Sequence, residues 1–409
     1  MYSIKDMVFW VGVAVVTVVL SFSMAFSRGI DEGVYGDAED YARVWYLIQE
    51  NFVEEIPREK LHDGALKGMI AATGDRHAAY MNADEAKRWN NALEGTLVGV
   101  GVSITFRDGQ VVVLRPLPNS PAAKAGIKPF DVIEKVDGID IAEMSWPDIQ
   151  LMIQGEIGTK VTLTVLSQDA ESSRDVEIER AKITTNYVTR GFVDPANKIG
   201  YARLQEFSKK AAADLRVAIE EMQKNGMRGF VLDLRDNPGG LLSQATEIVD
   251  MFIEEGLIVS TQGRMSSSRS EFNATKDGTL LGDTSVPVVI LVNGGSASAS
   301  EIVAGAMQDY QRALIIGEKT YGKCSVQQTW PVGDGMVKFT VAHYYTPKGR
   351  LLKNKLAPDK EVVIEKGDWL KLYENRNKYE SDNGNKPYHG ADDTQLAAAI
   401  EYITKQLGK

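Results

Sequence analysis

Residues 286–292 read Val-Pro-Val-Val-Ile-Leu-Val, and the chain then runs directly into Asn293-Gly-Gly-Ser-Ala-Ser-Ala-Ser300. A short apolar run bounded by turn residues reads as a buried strand, and the small residues behind it permit a sharp reversal. A helical pattern opens at once beyond the turn, so the stretch demands a strand–turn–helix unit and points to an α/β fold. It also constrains chemistry. A serine at such a turn displays its hydroxyl beside the unpaired N–H groups of a helix start. Lys323 follows in a second Gly-containing turn, Tyr321-Gly-Lys323.

A serine hydroxyl is a poor nucleophile at neutral pH and needs a base. The four histidines, His62, His77, His343 and His389, lie beside no evident Ser/Asp pair. Lysine serves instead when burial lowers its pKa, because desolvation disfavours the ammonium form. The rival reading is an ordinary Gly/Ser loop that caps a helix, with Lys323 in water. Composition alone favours the capping loop.

The wider pattern resembles the carboxyl-terminal processing, or tail-specific, Ser-Lys peptidases. Residues 295–302, 304–309 and 317–327 match that family's core blocks in order, and the likeness runs from about Tyr41 to about Gln395. It implies Ser298 as nucleophile, Lys323 as general base and Gln327 as the residue that orients the lysine amine. If residues 323–327 form a strand, positions 323 and 327 share a face. Asp309 matches an acidic position after the serine helix and reads as structural support. Ser296 and Ser300 are the rival serines, with Ser300 expected to cap a helix beginning at Glu301. The block Asp233-Leu-Arg-Asp-Asn-Pro-Gly-Gly-Leu-Leu242 also matches. It implies an oxyanion hole from Gly239 or Gly240 together with the Ala299 N–H. Cys324 departs from the family, which usually has a small residue after the lysine. It is the chain's single cysteine, and with no histidine expected nearby it reads as a packed bystander thiol.

Residues 97–165 carry Asn119-Ser-Pro-Ala-Ala-Lys-Ala-Gly-Ile127, Asp131-Val-Ile-Glu-Lys-Val-Asp-Gly138 and Gly158-Thr-Lys-Val161, with a helix expected over about 146–153. The order resembles a protease-associated PDZ domain. Such domains add a peptide strand to a sheet edge and hold its terminal carboxylate in backbone N–H groups. Val98, Gly99, Val100, Gly101 and Val102 would form that loop and strand. Relatives often carry an arginine where this chain has Gln154, which puts any switch built on that arginine in doubt.

Residues 7–27 hold no charge, and 21 helical residues span about 30 Å, enough to cross a hydrocarbon core. The segment reads as a signal anchor or, with Ser23-Met-Ala25 as a cleavage site, a signal peptide. Either way the catalytic body is expected outside the cytoplasmic membrane, periplasmic or extracytoplasmic. A net charge of −10 with no basic stripe argues against nucleic-acid binding. One cysteine and scattered histidines offer no metal site, and the chemistry needs no cofactor.

The expected fold class is α/β: a crotonase/Clp-like protease core with an inserted PDZ domain, a helical N-terminal cap and an N-terminal transmembrane segment. The expected order is a signal anchor or signal peptide over residues 1–28 and a helical region over 29–92. A PDZ domain over 93–170, a peptidase core over 171–365, and a tail with a terminal helix over 366–409 complete it. Residues 262–283 read as a surface loop and 375–387 as a flexible polar tail. His77, in an Asp75-Arg-His77 block, reads as a turn residue; His343, on a strand over 336–345, is the one histidine placed to rival Lys323. The implied function is a serine endopeptidase that cleaves exported proteins near unstructured C-terminal tails through an acyl-enzyme. The resemblance further implies a homodimer and a regulatory or adaptor protein. A catalytically inactive PDZ scaffold and a crotonase-like acyl-CoA enzyme are the competing classes.

Overall fold

The computed structural model describes residues 32–408 except 76, 94–95, 108–109, 118–119, 129–130, 143, 145–148, 150–151, 168–169, 185–187 and 384–385. The proposed membrane or signal segment at residues 7–27 lies outside the described residues, as does most of the helix expected over 146–153. Among the described residues no helix is long and apolar enough to cross a membrane.

The chain divides into two units, residues 1–74 and 75–409. In the first, α1 (Glu32–Asn51) and α2 (Arg58–Ala71) match the helical periodicity, with α1 beginning earlier than residue 38. Pro57 precedes α2, where its fixed φ suits a helix start. Tyr41, Val44, Leu47 and Met69 remain exposed, and Tyr41, Trp45, Leu66 and Met69 line a groove of about 790 Å³. Two helices alone cannot bury that apolar surface.

The second unit opens with β1 (Ala79–Met81) and α3 (Ala83–Leu93). A small β domain follows: β2 (Thr96–Gly99), β3 (Val102–Arg107), β4 (Gln110–Pro116), β5 (Val132–Val136), β6 (Ile139–Asp140), β7 (Lys160–Leu166), β8 (Arg174–Glu179) and β9 (Ala181–Thr184). Its antiparallel sheet has the order β3-β4-β5-β7-β8 with β6 on β5, and β2 pairs with β9 as a ribbon. Alternation on β7 places Val161, Leu163 and Val165 inward, against Val113, Ile133, Val136 and Ile178.

The larger body is a six-stranded sheet in the order β10-β11-β12-β15-β16-β19. Its strands are β10 (Val188–Asp194), β11 (Ile199–Leu204), β12 (Gly229–Asp233), β15 (Val288–Val292), β16 (Leu314–Gly317) and β19 (Lys360–Glu361). From β11 to β19 the pairing is parallel. Helices α4 (Ala211–Lys224), α5 (Leu242–Asp250) and α6 (Ala299–Asp309) pack on one face, against Phe230, Leu232, Ile290, Val292 and Ile315. A later helix, α8 (Thr394–Leu407), covers the other face, where Leu396, Ala399 and Ile403 meet Val231, Val289, Leu291 and Ile316. Burial on both faces explains why these strands are almost continuously apolar. A second sheet, β1-β18-β13-β14 with β17 on β18, comprises β13 (Gly256–Gly263), β14 (Ser270–Ala274), β17 (Ser325–Val332) and β18 (Gly335–Tyr345) beside β1.

Two sequence expectations are corrected. The loop expected over 262–283 contains β14, an edge strand whose Ser-Glu-Phe-Asn-Ala pattern packs little beyond Phe272 and Ala274. The polar tail expected over 375–387 overlaps α7 (Lys366–Asp382). The buried stripe of that helix is Leu372, Arg376, Asn377 and Glu380, so its helical spacing is written mostly in polar residues.

The α8 start is bound to the end of β12 by ions. Arg235, fully buried, donates to Asp233 and to both carboxylate oxygens of Asp393, at 2.8 Å each for the latter. Burial pushes the Asp233 carboxyl up, but Arg235, with Arg376 and Arg203, overrides this and holds it well below the usual carboxylate range. The ionised form therefore contributes stability above the unfolded value of about 4 and loses it only as pH falls through the lower folded value. Arg235→Ala strips two buried carboxylates of their hydrogen-bonded cation and is expected to cost about 3–5 kcal/mol, read as a fall in the urea midpoint. The pair Asp233→Asn/Arg235→Met should lose less than Arg235→Ala; an equal or greater loss would contradict this account.

Candidate active site

Three loops leave the C-terminal ends of the parallel strands β12, β15 and β16, where ligands bind in open α/β sheets. They carry residues 234–241, 293–298 and 318–324. Ser298 sits at the end of the second as the residue before α6, with φ 55 and ψ −113. A non-glycine residue in that region is strained and persists only where its surroundings enforce it.

The enforcement is visible. The Asn237 carbonyl accepts from the Ala297 N–H at 3.0 Å and from the Ser300 hydroxyl at 2.9 Å, one on either side of Ser298. The Ser296 hydroxyl donates to the Leu234 carbonyl at 2.8 Å. Both rival serines are thus spent on backbone, and Ser300 lies inside the helix rather than capping it, correcting the expected start at Glu301. Gly239 (φ 100) packs so closely that a Cβ would stand 2.8 Å from the Ser298 Cβ and 3.0 Å from the Ala299 nitrogen. Gly240 (φ 146) is as tightly held, since a Cβ there would stand 2.4 Å from the Phe207 carbonyl oxygen. The Gly239 N–H donates to Asn237 Oδ1 at 2.9 Å. That leaves Gly240 and Ala299 as the amides better disposed toward a ligand, Ala299 at the positive end of α6.

Glu301 joins the third loop to the second. Its Oε2 accepts the Ser298 N–H at 2.8 Å and the Lys323 N–H at 2.9 Å, while Oε1 accepts the Thr320 hydroxyl at 2.5 Å and the Gly322 N–H at 2.7 Å. Burial pushes the Glu301 carboxyl up, opposed by these hydrogen bonds. The buried Tyr344 hydroxyl meets the carbonyls of Ser298 (3.2 Å) and Lys323. Sequence reasoning passed over both residues. Glu301 had a signal, the Ser-x-x-Glu spacing of a helix start; Tyr344, 46 residues from Ser298, had none.

Lys323 is half-buried, one residue before the buried Cys324, and the Glu301 bond fixes its backbone in the turn. Gln327 stands differently from the shared-face expectation. β17 begins at Ser325, and a bulge between Val326 and Gln327 breaks the alternation. The Gln327 amide donates to Ser325 Oγ at 2.8 Å and Thr340 Oγ1 at 3.2 Å. Asp309 closes α6 at the end remote from Ser298, where it accepts the Lys348 N–H at 2.9 Å and pairs with Arg350 at 2.5 Å. A histidine does lie beside the cysteine, against expectation: His343 Nδ1 is 3.7 Å from Cys324 Sγ because β17 and β18 pair Ser325 with His343. Burial nonetheless pushes the thiol up, away from thiolate reactivity. The His77 N–H donates to Asp75 Oδ1 at 2.9 Å, and Asp75 Oδ2 accepts the Thr340 N–H at 2.9 Å, a turn staple.

In the small β domain, Val98, Gly99, Val100, Gly101 and Val102 line a cavity of about 80 Å³ with Ile104, Ile153 and Gln154. Gly101 (φ 77) lies so close to Ser120 that a Cβ would reach its Cβ at 2.4 Å. Among the described residues β3 pairs with β4 alone, which leaves a sheet edge beside the cavity. Arg180, between β8 and β9, donates to the Ile153 and Met152 carbonyls at 3.0 and 2.7 Å and fixes the cavity's far wall. From the Glu301 geometry, Glu301→Gln should accelerate amide exchange at Gly322 and Lys323 by about 10–100-fold, the worth of hydrogen bonds to a charged acceptor. Unchanged exchange there would contradict the carboxylate's anchoring role.

Comparison with known proteins identifies the family. Family models match for "Peptidase family S41" over residues 198–362, "PDZ domain" over 112–167 and "Activating protease CtpB N-terminal domain" over 29–85. A carboxy-terminal-processing protease of Bartonella bacilliformis is 34% identical across 99% of this chain and 97% of its own length. The carboxy-terminal processing protease CtpA of Bacillus subtilis is 35% identical across 81% and 69%. Among solved structures, a photosystem II D1 C-terminal processing protease aligns with TM-score 0.53 and 30% identity over 79% of this chain and 92% of that one. The chain belongs to peptidase family S41, the carboxy-terminal processing serine proteases, and carries a PDZ domain.

Proposed function

We propose that this protease works through a Ser298–Lys323 dyad. The observation that carries the reading is the shared Glu301 oxygen: residues 25 apart in sequence hang their N–H groups on one atom, at 2.8 and 2.9 Å. Ser298 attacks the scissile carbonyl while neutral Lys323 takes its proton. The Ala299 amide at the start of α6 and the Gly240 amide, in the turn that Gly239 shapes, receive the oxyanion. The lysine then protonates the leaving amine, and water, activated by the same lysine, hydrolyses the acyl-enzyme. Gln327 assists by offering its side-chain carbonyl to the lysine, its amide being engaged with Ser325 and Thr340.

The PDZ domain supplies recognition in this reading. An unstructured C-terminal tail adds to the β3 edge, with its carboxylate in the turn of residues 98–101 and an apolar side chain in the adjoining cavity. Residues 7–27 export the chain and hold it to a membrane, which places catalysis outside the cytoplasm. The exposed apolar groove of α1 and α2 supports a homodimer. A regulatory or adaptor protein acting on the same groove is the further partner consistent with it.

Degradation of an unfolded polypeptide tests the dyad. Ser298→Ala and Lys323→Ala should each lower kcat by about 10³-fold or more, as removal of a nucleophile or its base does. The wild-type rate should rise with pH through an apparent value below a free lysine's value of about 10.4. Cleavage that survives Ser298→Ala would refute the assignment.

A further inference from the structure

We propose that Arg376 of α7 is a positioning residue for the oxyanion loop: its guanidinium holds Asp236 in the left-handed conformation that sets Gly239 and Gly240 against Ser298. The inference rests on the oxyanion assignment above and adds an element from outside the catalytic sheet.

Arg376 is 1% exposed, and its terminal nitrogen lies 3.7 Å from Asp236 Oδ2. The guanidinium is flanked by the Trp369 and Tyr373 rings, with centroids 5.5 and 5.3 Å away. None of its three nitrogens makes a hydrogen bond among the described residues. Burying a guanidinium so thinly bonded is unfavourable, and an apolar side chain of similar length would fill the same slot between two rings. Packing therefore does not explain the charge. A carboxylate does.

That carboxylate is placed to matter. Asp236 has φ 60, a conformation that a non-glycine residue adopts only under constraint. Its Oδ1 accepts from Asn293 Nδ2 at 2.9 Å, and its own N–H donates to Asn293 Oδ1 at 2.9 Å. Asn293 in turn receives the Gly295 N–H at 3.0 Å at the start of the serine turn. Oδ2 is the oxygen left facing Arg376. With both oxygens engaged, Asp236 links the two loops that make the site. The next residue, Asn237, supplies the carbonyl that grips Ala297 and Ser300 and the side chain that takes the Gly239 N–H. A relaxed Asp236 rotates this chain of bonds and moves the oxyanion donors relative to Ser298, which lowers transition-state binding while leaving the tail-recognition surface alone.

The test uses the full chain, with an unfolded casein as substrate. Arg376→Met retains length and apolar contact with the rings; Arg376→Lys retains the charge. The expected result for Arg376→Met is a kcat lower by about 10–100-fold with KM within about 3-fold, the signature of a lost oxyanion contribution. Arg376→Lys should recover most of that loss. Asp236→Asn should reproduce it, and Arg376→Met/Asp236→Asn should be no worse than either alone. Amide exchange should accelerate in residues 236–240 more than across the rest of the unit. Full kcat in Arg376→Met would overturn the inference, as would a loss tracking global unfolding or uniform acceleration of exchange. Should the wild-type chain cleave nothing, the oxyanion reading fails, and exchange at 236–240 still decides whether Arg376 holds the loop.

Discussion

Everything at this site hangs on one buried carboxylate. Glu301 takes four hydrogen bonds from Ser298, Thr320, Gly322 and Lys323. Those donors arise from two loops that the sequence separates by a whole helix and strand. A carboxylate out of water is costly unless its lone pairs are filled, and here the filling groups are three backbone N–H groups of the site and the Thr320 hydroxyl. Desolvation thus becomes a geometric constraint: the loops cannot part without stranding the charge. Tyr344 repeats the constraint from the second sheet, meeting the carbonyls of the same two residues.

The parallel sheet makes that convergence possible. β12, β15 and β16 end in line, so the Asn-Pro-Gly-Gly, Ser-Ala-Ser and Gly-Lys turns emerge side by side. Strands apolar on both faces fix the sheet between α4, α5 and α6 on one side and α8 on the other. The C-terminal helices then grip the loops by charge, Asp393 through Arg235 and Arg376 through Asp236. The Ser298 turn thus takes supports from every layer, and fixed dipoles are what the proposed oxyanion stabilisation requires.

Much of this was legible. The apolar run at 286–292 announced a buried strand feeding a turn and a helix, and the structure shows why it is apolar at nearly every position: the sheet is covered on both faces. Glycines at 239, 240 and 101 marked close approaches that a Cβ forbids. Spacing alone could not show that α7 is a helix with a buried polar face, since hydrophobic periodicity is silent when Arg376, Asn377 and Glu380 occupy the inward positions. Nor could it place Gln327, because a single bulge at Val326 reverses the parity that a strand argument relies on. His343 met Cys324 through strand register, a tertiary fact with no local signature. With family membership established, the acyl-CoA and inert-scaffold alternatives lose their footing.

The central claim is that Ser298, held by Glu301, is the atom that becomes acylated. Acid quenching of the enzyme during turnover of a peptide ester, followed by mass mapping of the digested protein, reads it directly. The account predicts an acyl group on Ser298, with its steady-state amount sharply reduced in Glu301→Gln. An acyl group on Ser296, Ser300 or Cys324, or full acylation of Ser298 in Glu301→Gln, would contradict it.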